Sequence, residues 1–412
     1  MFSEIFARTL RAIAQKPLVF SPPNTCHTRA PRLCTLCHAS RISYDDEVRA
    51  RNAALQEYWR ALKLTCSLAP LVPSPRGRHY RTVSKRKVFR NRGEVRLGLI
   101  DPGKSAPGHL ADVDHCMIEP EFHGAVYAHL SRALGQPSAG RIGAGLRYVV
   151  IKGDYRHGIV ILSLEHMRGV GTGEINALSK ALTRACPEVR GVLLFEGAGG
   201  ERYYLGTSDP DSRATTRRVY GQSELRQRFG GKEFLFPAFS FSQVNASLLD
   251  GMIEEVKRMA AASAHSVLYD LYCGYGVFTL TVGSGAARAV GIDRARESID
   301  AASANAKRQG ATSVRFARAA LSGEGLPAVL PQLRAEDAVL LDPPRGGTAA
   351  GVIECVAARR PGRAVHLFCN IERMSEEIAR WERCAYRPSR AVPFDMFPGT
   401  DDTEIMILFV PA

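Results

Sequence analysis

Four short stretches of the 412-residue chain bring reactive side chains to backbone turns. In Asp270-Leu271-Tyr272-Cys273-Gly274-Tyr275-Gly276-Val277-Phe278, two glycines follow an apolar run and let a ligand approach the backbone before the next helix begins. Asp293 ends the following apolar run, where a carboxylate can accept hydrogen bonds from ribose hydroxyls. The third glycine of the dinucleotide fingerprint is missing, so an adenosine-bearing cofactor other than NAD is expected, against the plainer reading of a tight turn. In Asp342-Pro343-Pro344-Arg345-Gly346-Gly347, the prolines cannot extend a helix and hold a loop open behind an acid. Arg345 there can meet a phosphate or pair with a surface acid. Phe368-Cys369-Asn370 ends another apolar run, and Asp395-Met396-Phe397-Pro398-Gly399-Thr400-Asp401-Asp402-Thr403-Glu404 leads into the last one. A lone cysteine is most often a small buried hydrophobe. A thiol and a carboxylate converging on the edge that carries the other two loops make a nucleophile and its base.

These loops need a scaffold that delivers them to one edge. From about Ser240 the apolar runs SVLYDLY, AVGID (289–293), AVLLD (338–342), AVHLFC (364–369) and EIMILFV (404–410) read as buried strands, with a helix in ARESIDAASANAKRQG that ends at a glycine. Strand–helix alternation of this kind predicts a doubly wound α/β sheet with ligands at the carboxyl ends of its strands. Upstream, residues 145–164 read as two strands joined by a polar turn. A helix near 173–186 and a strand at 190–195 complete a central α+β unit. SYDDEVRARNAALQEYWRALKL, between the proline-containing stretches at 21–25 and 69–78, has helical periodicity and an acidic start.

Lys and Arg number 55 against 41 Asp and Glu, a formal net charge of +14 that favours a polyanionic partner. The surplus is concentrated between Arg76 and Arg96, where nine Lys/Arg face one acid, Glu94, and interleave with Tyr80, Val83, Val88, Phe89 and Val95. That alternation predicts basic strands touching a polyanion rather than a solvated face, and a second basic stretch runs from Arg213 to Lys232. No apolar run approaches the roughly 18–20 residues of a membrane-spanning helix. Most of the ten cysteines are scattered, as reduced thiols are. The first residues, MFSEIFARTLRAIAQK, read equally as an Arg-bearing amphipathic targeting segment or as an ordinary N-terminal helix.

Taken together and in order, Ser240–Asn245 (SFSQVN), DLYCGYGVF, DPPRGG, FCN and DMFPGTDDTE resemble the RNA uracil-5-methyltransferase family, which makes 5-methyluridine in ribosomal and transfer RNA. The resemblance runs from about Cys26 to the C-terminus and is strongest to the shorter iron–sulfur-bearing enzymes of 23S ribosomal RNA. It implies a Rossmann-like methyltransferase domain over 239–412, with a mostly parallel seven-stranded sheet. A basic α+β iron–sulfur and RNA-binding domain over 23–238 would precede it, with residues 1–22 a tail or targeting segment. It further implies that Gln243, Tyr272 and Gly274 contact S-adenosylmethionine, that Asp293 holds its ribose, and that Asp342 faces its methionine end and the target base. Cys369 matches the nucleophile and Glu404 the base. Three positions differ from the family pattern. Asp293 stands where Glu is usual, Ala320 near the place of a common acid, and Asp402 where His is common before the base. Phe368 also replaces a small residue.

Cys26, Cys34 and Cys37, with a distant Cys116, resemble that family's 4Fe–4S site; spacing alone leaves zinc an equal rival, with His27 or His38 able to substitute. The function so implied is methyl transfer from S-adenosylmethionine to carbon 5 of a uridine, in ribosomal RNA first and transfer RNA second. A monomeric protein in the mitochondrial matrix or the cytoplasm is expected. A ribosome-assembly factor that keeps the fold but has lost turnover is the reading from a different class.

Overall fold

Two sheets, each of seven strands, carry the chain, and the reasons for their positions lie in which faces are apolar. The computed structural model describes residues 1–14, 37–39, 42–64, 66–91, 94–100, 110–111, 115–136, 139–165, 171–196 and 215–412. Helix α1 (Phe2–Ala14) packs on α2 (Tyr44–Leu62). The Ser43 hydroxyl caps α2 by accepting from the Asp46 amide, Asp45, Asp46 and Glu47 occupy its first turn, and Lys63 closes it in the left-handed conformation. Phe2 and Phe6 of α1 are buried, with Phe2 edge-on to Tyr58.

The first sheet begins with β1 (Val83–Asn91), β2 (Glu94–Ile100) and β3 (Leu110–Ala111), then α3 (Glu121–Leu134) and α4 (Gly140–Gly145). It continues with β4 (Leu146–Gly153), β5 (Gly158–Leu164), α5 (Thr172–Ala185), β6 (Val189–Glu196) and β7 (Thr215–Gly221). Strand order is β3-β2-β1-β4-β5-β6-β7, antiparallel except where α5 crosses over between β5 and β6. Because side chains alternate along a strand, Val149, Ile151, Val160 and Leu162 face a core with α3 and α5, while Val150, Ile159 and Ile161 face the rest of the molecule. The basic strands expected between Arg76 and Arg96 are β1 and the start of β2. A hairpin, β8 (Glu224–Phe229) with β9 (Lys232–Pro237), sits in the core shared by the two halves.

The second sheet follows α6 (Leu249–Ala260). Its parts are β10 (Val267–Leu271), α7 (Val277–Thr281), β11 (Arg288–Asp293), α8 (Arg296–Arg308), β12 (Val314–Arg318) and β13 (Ala338–Leu341), then α9 (Val352–Ala358), β14 (Arg363–Phe368), α10 (Ile371–Arg383), β15 (Tyr386–Phe394) and β16 (Glu404–Pro411). The order β12-β11-β10-β13-β14-β16-β15 is parallel through β14, after which β16 and β15 run antiparallel. This is the expected seven-stranded, doubly wound sheet. Both faces are covered, so the strands are near-continuous apolar runs. Tyr269, Leu271, Ile405, Ile407 and Phe409 face the core that holds α1, α2 and α10; Leu268, Leu340, Val365, Met406 and Leu408 face the core shared with the first sheet. Bridges Leu68↔Ala391 and Val72↔Phe394 lay the segment after α2 alongside β15, tying the N-terminal residues to the edge of the second sheet.

Candidate active site

Five adjacent strands end or begin on one edge and present the sequence motifs side by side. Asp293 closes β11, Tyr272 and Gly274 follow β10, Asp342 follows β13, Cys369 follows β14, and Glu404 opens the antiparallel β16. The strand order makes these five neighbours, although they span over a hundred residues of sequence. Phe368 pairs with Ile405, so the next step of that register sets Cys369 against Glu404. Asn370 then caps α10 by accepting from the Glu372 amide at 3.2 Å, which gives the Phe-Cys-Asn motif a strand end, a thiol and a helix start in three residues.

The glycine turn is shaped by its backbone. Tyr272, Gly274 and Gly276 all have positive φ (66°, 53° and 89°), and a Cβ built on Gly276 would lie 2.8 Å from the Phe316 ring. A Cβ on Gly274 would meet nothing within 4 Å, so this glycine borders open space. Asp293 organises the turn: one carboxylate oxygen accepts from the Gly274 amide at 3.0 Å and the other from the Ala295 amide at 2.8 Å. The shorter acid therefore reaches the glycine backbone, and a ribose hydroxyl would share oxygens already occupied. Ala320, just beyond β12, adds no carboxylate.

Around Cys369 the electrostatics favour protons. Burial, then Glu404 and Asp342, push the thiol up to about 12, with Arg345 opposing; Sγ is 3.8 Å from the Pro343 carbonyl oxygen. Burial and then Asp342 hold Glu404 up to about 8, with Arg345 pulling down and Asp402 adding to the rise, and Glu404 Oε2 is buried without a hydrogen-bond partner. Burial raises Asp342 to about 7 although the Gln243 amide donates to it at 3.4 Å. Asp402, in the place where the family pattern has His, forms a 2.6 Å ion pair with Arg345, so the guanidinium that lowers both Cys369 and Glu404 is shared with a further acid.

Asp270, fully buried, accepts from Thr279 Oγ1 at 2.5 Å and is raised by burial to about 7. Three recessed acids that burial raises would ionise beside a positive charge, and the glycine turn next to them is open, so the crevice suits a cationic ligand with an adenosine body. The residues present therefore fit S-adenosylmethionine.

The structure also gives work to two residues for which the sequence implied no role. Asn245, fully buried, donates to Ser74 Oγ at 2.9 Å and to the Met396 carbonyl at 3.3 Å, joining the Gln243 loop to the loop before Glu404. Glu377 of α10 accepts from the Thr348 amide (2.7 Å) and hydroxyl, anchoring the loop that follows Asp342. Asn245 closes the SFSQVN motif, where no role was expected of it, and Glu377 lies outside every motif.

Of the four cysteines expected to hold a cluster, Cys37 and Cys116 are described, and each is close enough to matter electrostatically to the other's surroundings. Desolvation, then Glu119, raise the half-buried Cys116; Arg86 lowers it and Cys37 adds to the rise. Cys26 and Cys34, with His27, lie outside the described residues, and no group of three or more metal-ligating side chains occurs among the described ones.

Residues 215–410 match the family model described as tRNA (Uracil-5-)-methyltransferase. Over those residues the chain is similar to the RNA uracil-5-methyltransferase family. It is similar to an uncharacterized RNA methyltransferase of Thermotoga maritima, 24% identical over 386 residues that span 92% of this chain and 82% of the relative. A second such protein, from Halalkalibacterium halodurans, is 25% identical over 425 residues, 99% of this chain and 86% of the relative. Among solved structures, the tRNA (uracil-54, C5)-methyltransferase of Pyrococcus abyssi in complex with S-adenosyl-L-homocysteine shares the fold, with a TM-score of 0.68 at 18% identity over 95% of this chain and 88% of that one. The family's motif order thus coincides with the strand edge on which the structure gathers them.

Proposed function

We propose that this chain, an S-adenosylmethionine-dependent RNA methyltransferase, methylates carbon 5 of a uridine through a covalent bond between Cys369 and the uracil. The observation that carries the reading is the one-step register between Cys369 and Glu404 at the end of β14 and start of β16. Carbon 5 of uracil is a weak nucleophile, so electrons must be supplied to it. Cys369, once deprotonated, adds through Sγ to carbon 6, and the ring's electron pair moves onto carbon 5. S-adenosylmethionine supplies the methyl group that carbon 5 then takes. Glu404 removes the carbon-5 proton; the released pair re-forms the 5,6 double bond and expels the Cys369 thiolate. Gln243, Tyr272, Gly274, Asp293 and Asp342 form the cofactor side, and Arg345 stabilises the anionic forms of Cys369 and Glu404.

Ribosomal RNA is the substrate we assign, on the likeness of the motif set to the short iron–sulfur enzymes. Transfer RNA is the second reading, favoured by the matched family's description and by the Pyrococcus abyssi enzyme's substrate. In either RNA the base must leave its stack to reach Cys369. Labelled S-adenosylmethionine with total RNA from cells lacking the protein should give label in 5-methyluridine, and fractionating that RNA decides between substrates. Cys369→Ala should abolish labelling while cofactor affinity persists; undiminished labelling would refute the nucleophile. RNA binding without label in the unmodified chain would favour an assembly factor.

Cys26, Cys34, Cys37 and Cys116 are the ligands we propose for a 4Fe–4S cluster; soft thiolates suit it, and Cys37 lies within electrostatic range of Cys116. Anaerobically purified protein should contain about four iron and four acid-labile sulfide per chain. One zinc and no sulfide would replace the cluster with a zinc site.

A further inference from the structure

The loop that delivers Glu404 is gripped from outside the motif by two fully buried charged residues of α2, Glu47 and Arg51, one helical turn apart. The Arg51 guanidinium donates to the Thr400 carbonyl at 2.5 Å, the Asp402 carbonyl at 2.8 Å and Thr403 Oγ1 at 3.4 Å, and its Nε lies 3.2 Å from Asp395. Glu47 accepts from the Gly399 amide at 2.5 Å. Two side chains thus hold the loop at both its ends and its middle, and the last point of attachment immediately precedes Glu404. Arg78 and His38 satisfy the rest of Glu47, at 2.8 and 3.0 Å.

A buried ion network is a poor source of stability, because desolvating the charges offsets most of their attraction; apolar residues of the same volume commonly do as well. What such a network supplies is a single arrangement of the groups it binds. A planar fork with donors to two carbonyls and a hydroxyl fixes the backbone at 400–403 in a way a point charge cannot. We infer that Arg51, held by Glu47, is a positioning residue for the base: it sets the Glu404 carboxylate for removal of the carbon-5 proton. This inference rests on the assignment of Glu404 as base.

The test separates the proton step from everything before it. RNA carrying 5-fluorouridine has no proton on carbon 5, so Cys369 addition and methyl transfer leave a permanent adduct that needs no base. With full-length protein, S-adenosylmethionine and total cellular RNA with or without incorporated 5-fluorouridine, Arg51→Lys should form the fluorinated adduct at the unmodified chain's rate. Its turnover on ordinary RNA should fall on the order of a hundredfold in kcat with KM little changed, and an adduct should accumulate, as in Glu404→Gln. Turnover within twofold of the unmodified chain overturns the inference, as does equal loss of adduct formation and turnover, which marks structural damage alone. If Arg51→Lys does not fold, Glu47→Gln, which keeps an acceptor for Gly399 and weakens the ion pairs to Arg51, Arg78 and His38, is read by the same criteria. Cys369→Ala run alongside tests the underlying reading: an adduct on fluorinated RNA in that variant would refute the nucleophile, whatever Arg51 does, and Glu404→Gln releasing product normally would refute the base.

Discussion

At the scale of residues, the crevice is poised to hold protons until substrate arrives. Glu404 at about 8 and Asp342 at about 7 are both raised, mainly by burial, and each acid makes the other harder to ionise. The proposed base works only when ionised, so the rate of product release from the methylated adduct should climb with pH and level off above about 8, whereas adduct formation should keep rising toward the higher range of the Cys369 thiol. Asp402 raises Glu404 and occupies Arg345, so Asp402→Asn should move that acid limb down by about half to one pH unit; a limb that stays in place would remove Asp402 from the site's electrostatics.

The same shifts set stability. A carboxyl raised in the folded state keeps a proton that the unfolded chain releases, so its contribution is full below the ordinary carboxylate range and is lost as pH rises to about 7 or 8. Asp342→Asn should therefore raise the midpoint of thermal unfolding at pH 8, by about 1 kcal/mol of stability, while abolishing methylation. That Cys369, Glu404 and Asp342 share one strand edge was legible in the sequence, because each sits in a loop next to an apolar run. Glu47 and Arg51 were not: in a helix with an acidic start they read as solvated charges, and the carbonyls that make their burial tolerable come from residues some 350 positions away.

At the scale of elements, the glycine turn separates two requirements that one motif conceals. Gly276 caps α7 with φ 89° and touches Phe316 and Ala302, so it is constrained by packing as well as by conformation. Gly274 has φ 53° but faces open space. Gly276→Ala should cost about 2–3 kcal/mol of stability, through the strained φ and the displaced ring, against about 1 kcal/mol for Gly274→Ala. Gly274→Ala should instead lose cofactor affinity out of proportion to its stability; calorimetry and thermal unfolding of the pair decide this, and equal behaviour would mean that Gly274 is only a turn residue. Strands β10, β11, β13, β14 and β16 were legible as apolar runs because both faces of the sheet are covered. β15 was not, since Arg387, Pro388 and Arg390 interrupt its apolar pattern, and only its pairing with β16 and the segment at 68–72 identifies it as a strand. Helix α2 was readable from its period, but period alone says nothing of which sheet a helix covers.

At the scale of the whole molecule, the +14 charge and the crevice have to act on the same RNA. Arg217, Arg218, Arg226 and Arg228 are exposed on β7 and β8, and Tyr220 stands exposed beside them on the edge strand of the first sheet. That side is joined to the catalytic side by backbone bonds from Thr82 to Val244 and by Lys152, buried and donating to the Ser240 carbonyl just before Gln243. Phosphate contacts made by the basic strands would thus be transmitted through a short, rigid path to the cofactor loop. Such contacts release counterions, so RNA affinity should fall steeply with salt, with a log–log slope of about −3 if roughly four phosphates are neutralised. The crevice proposed for S-adenosylmethionine is lined by recessed acids, so cofactor affinity should respond to the same salt series only weakly. Replacing Arg217 and Arg218 together by Ala should reduce the RNA slope by about one to one and a half while leaving cofactor affinity and the single-turnover rate at saturating RNA unchanged. An unaltered slope would take β7 out of the RNA path, and a lower saturated rate would mean that the edge strand helps deliver the base to Cys369 rather than merely holding the backbone.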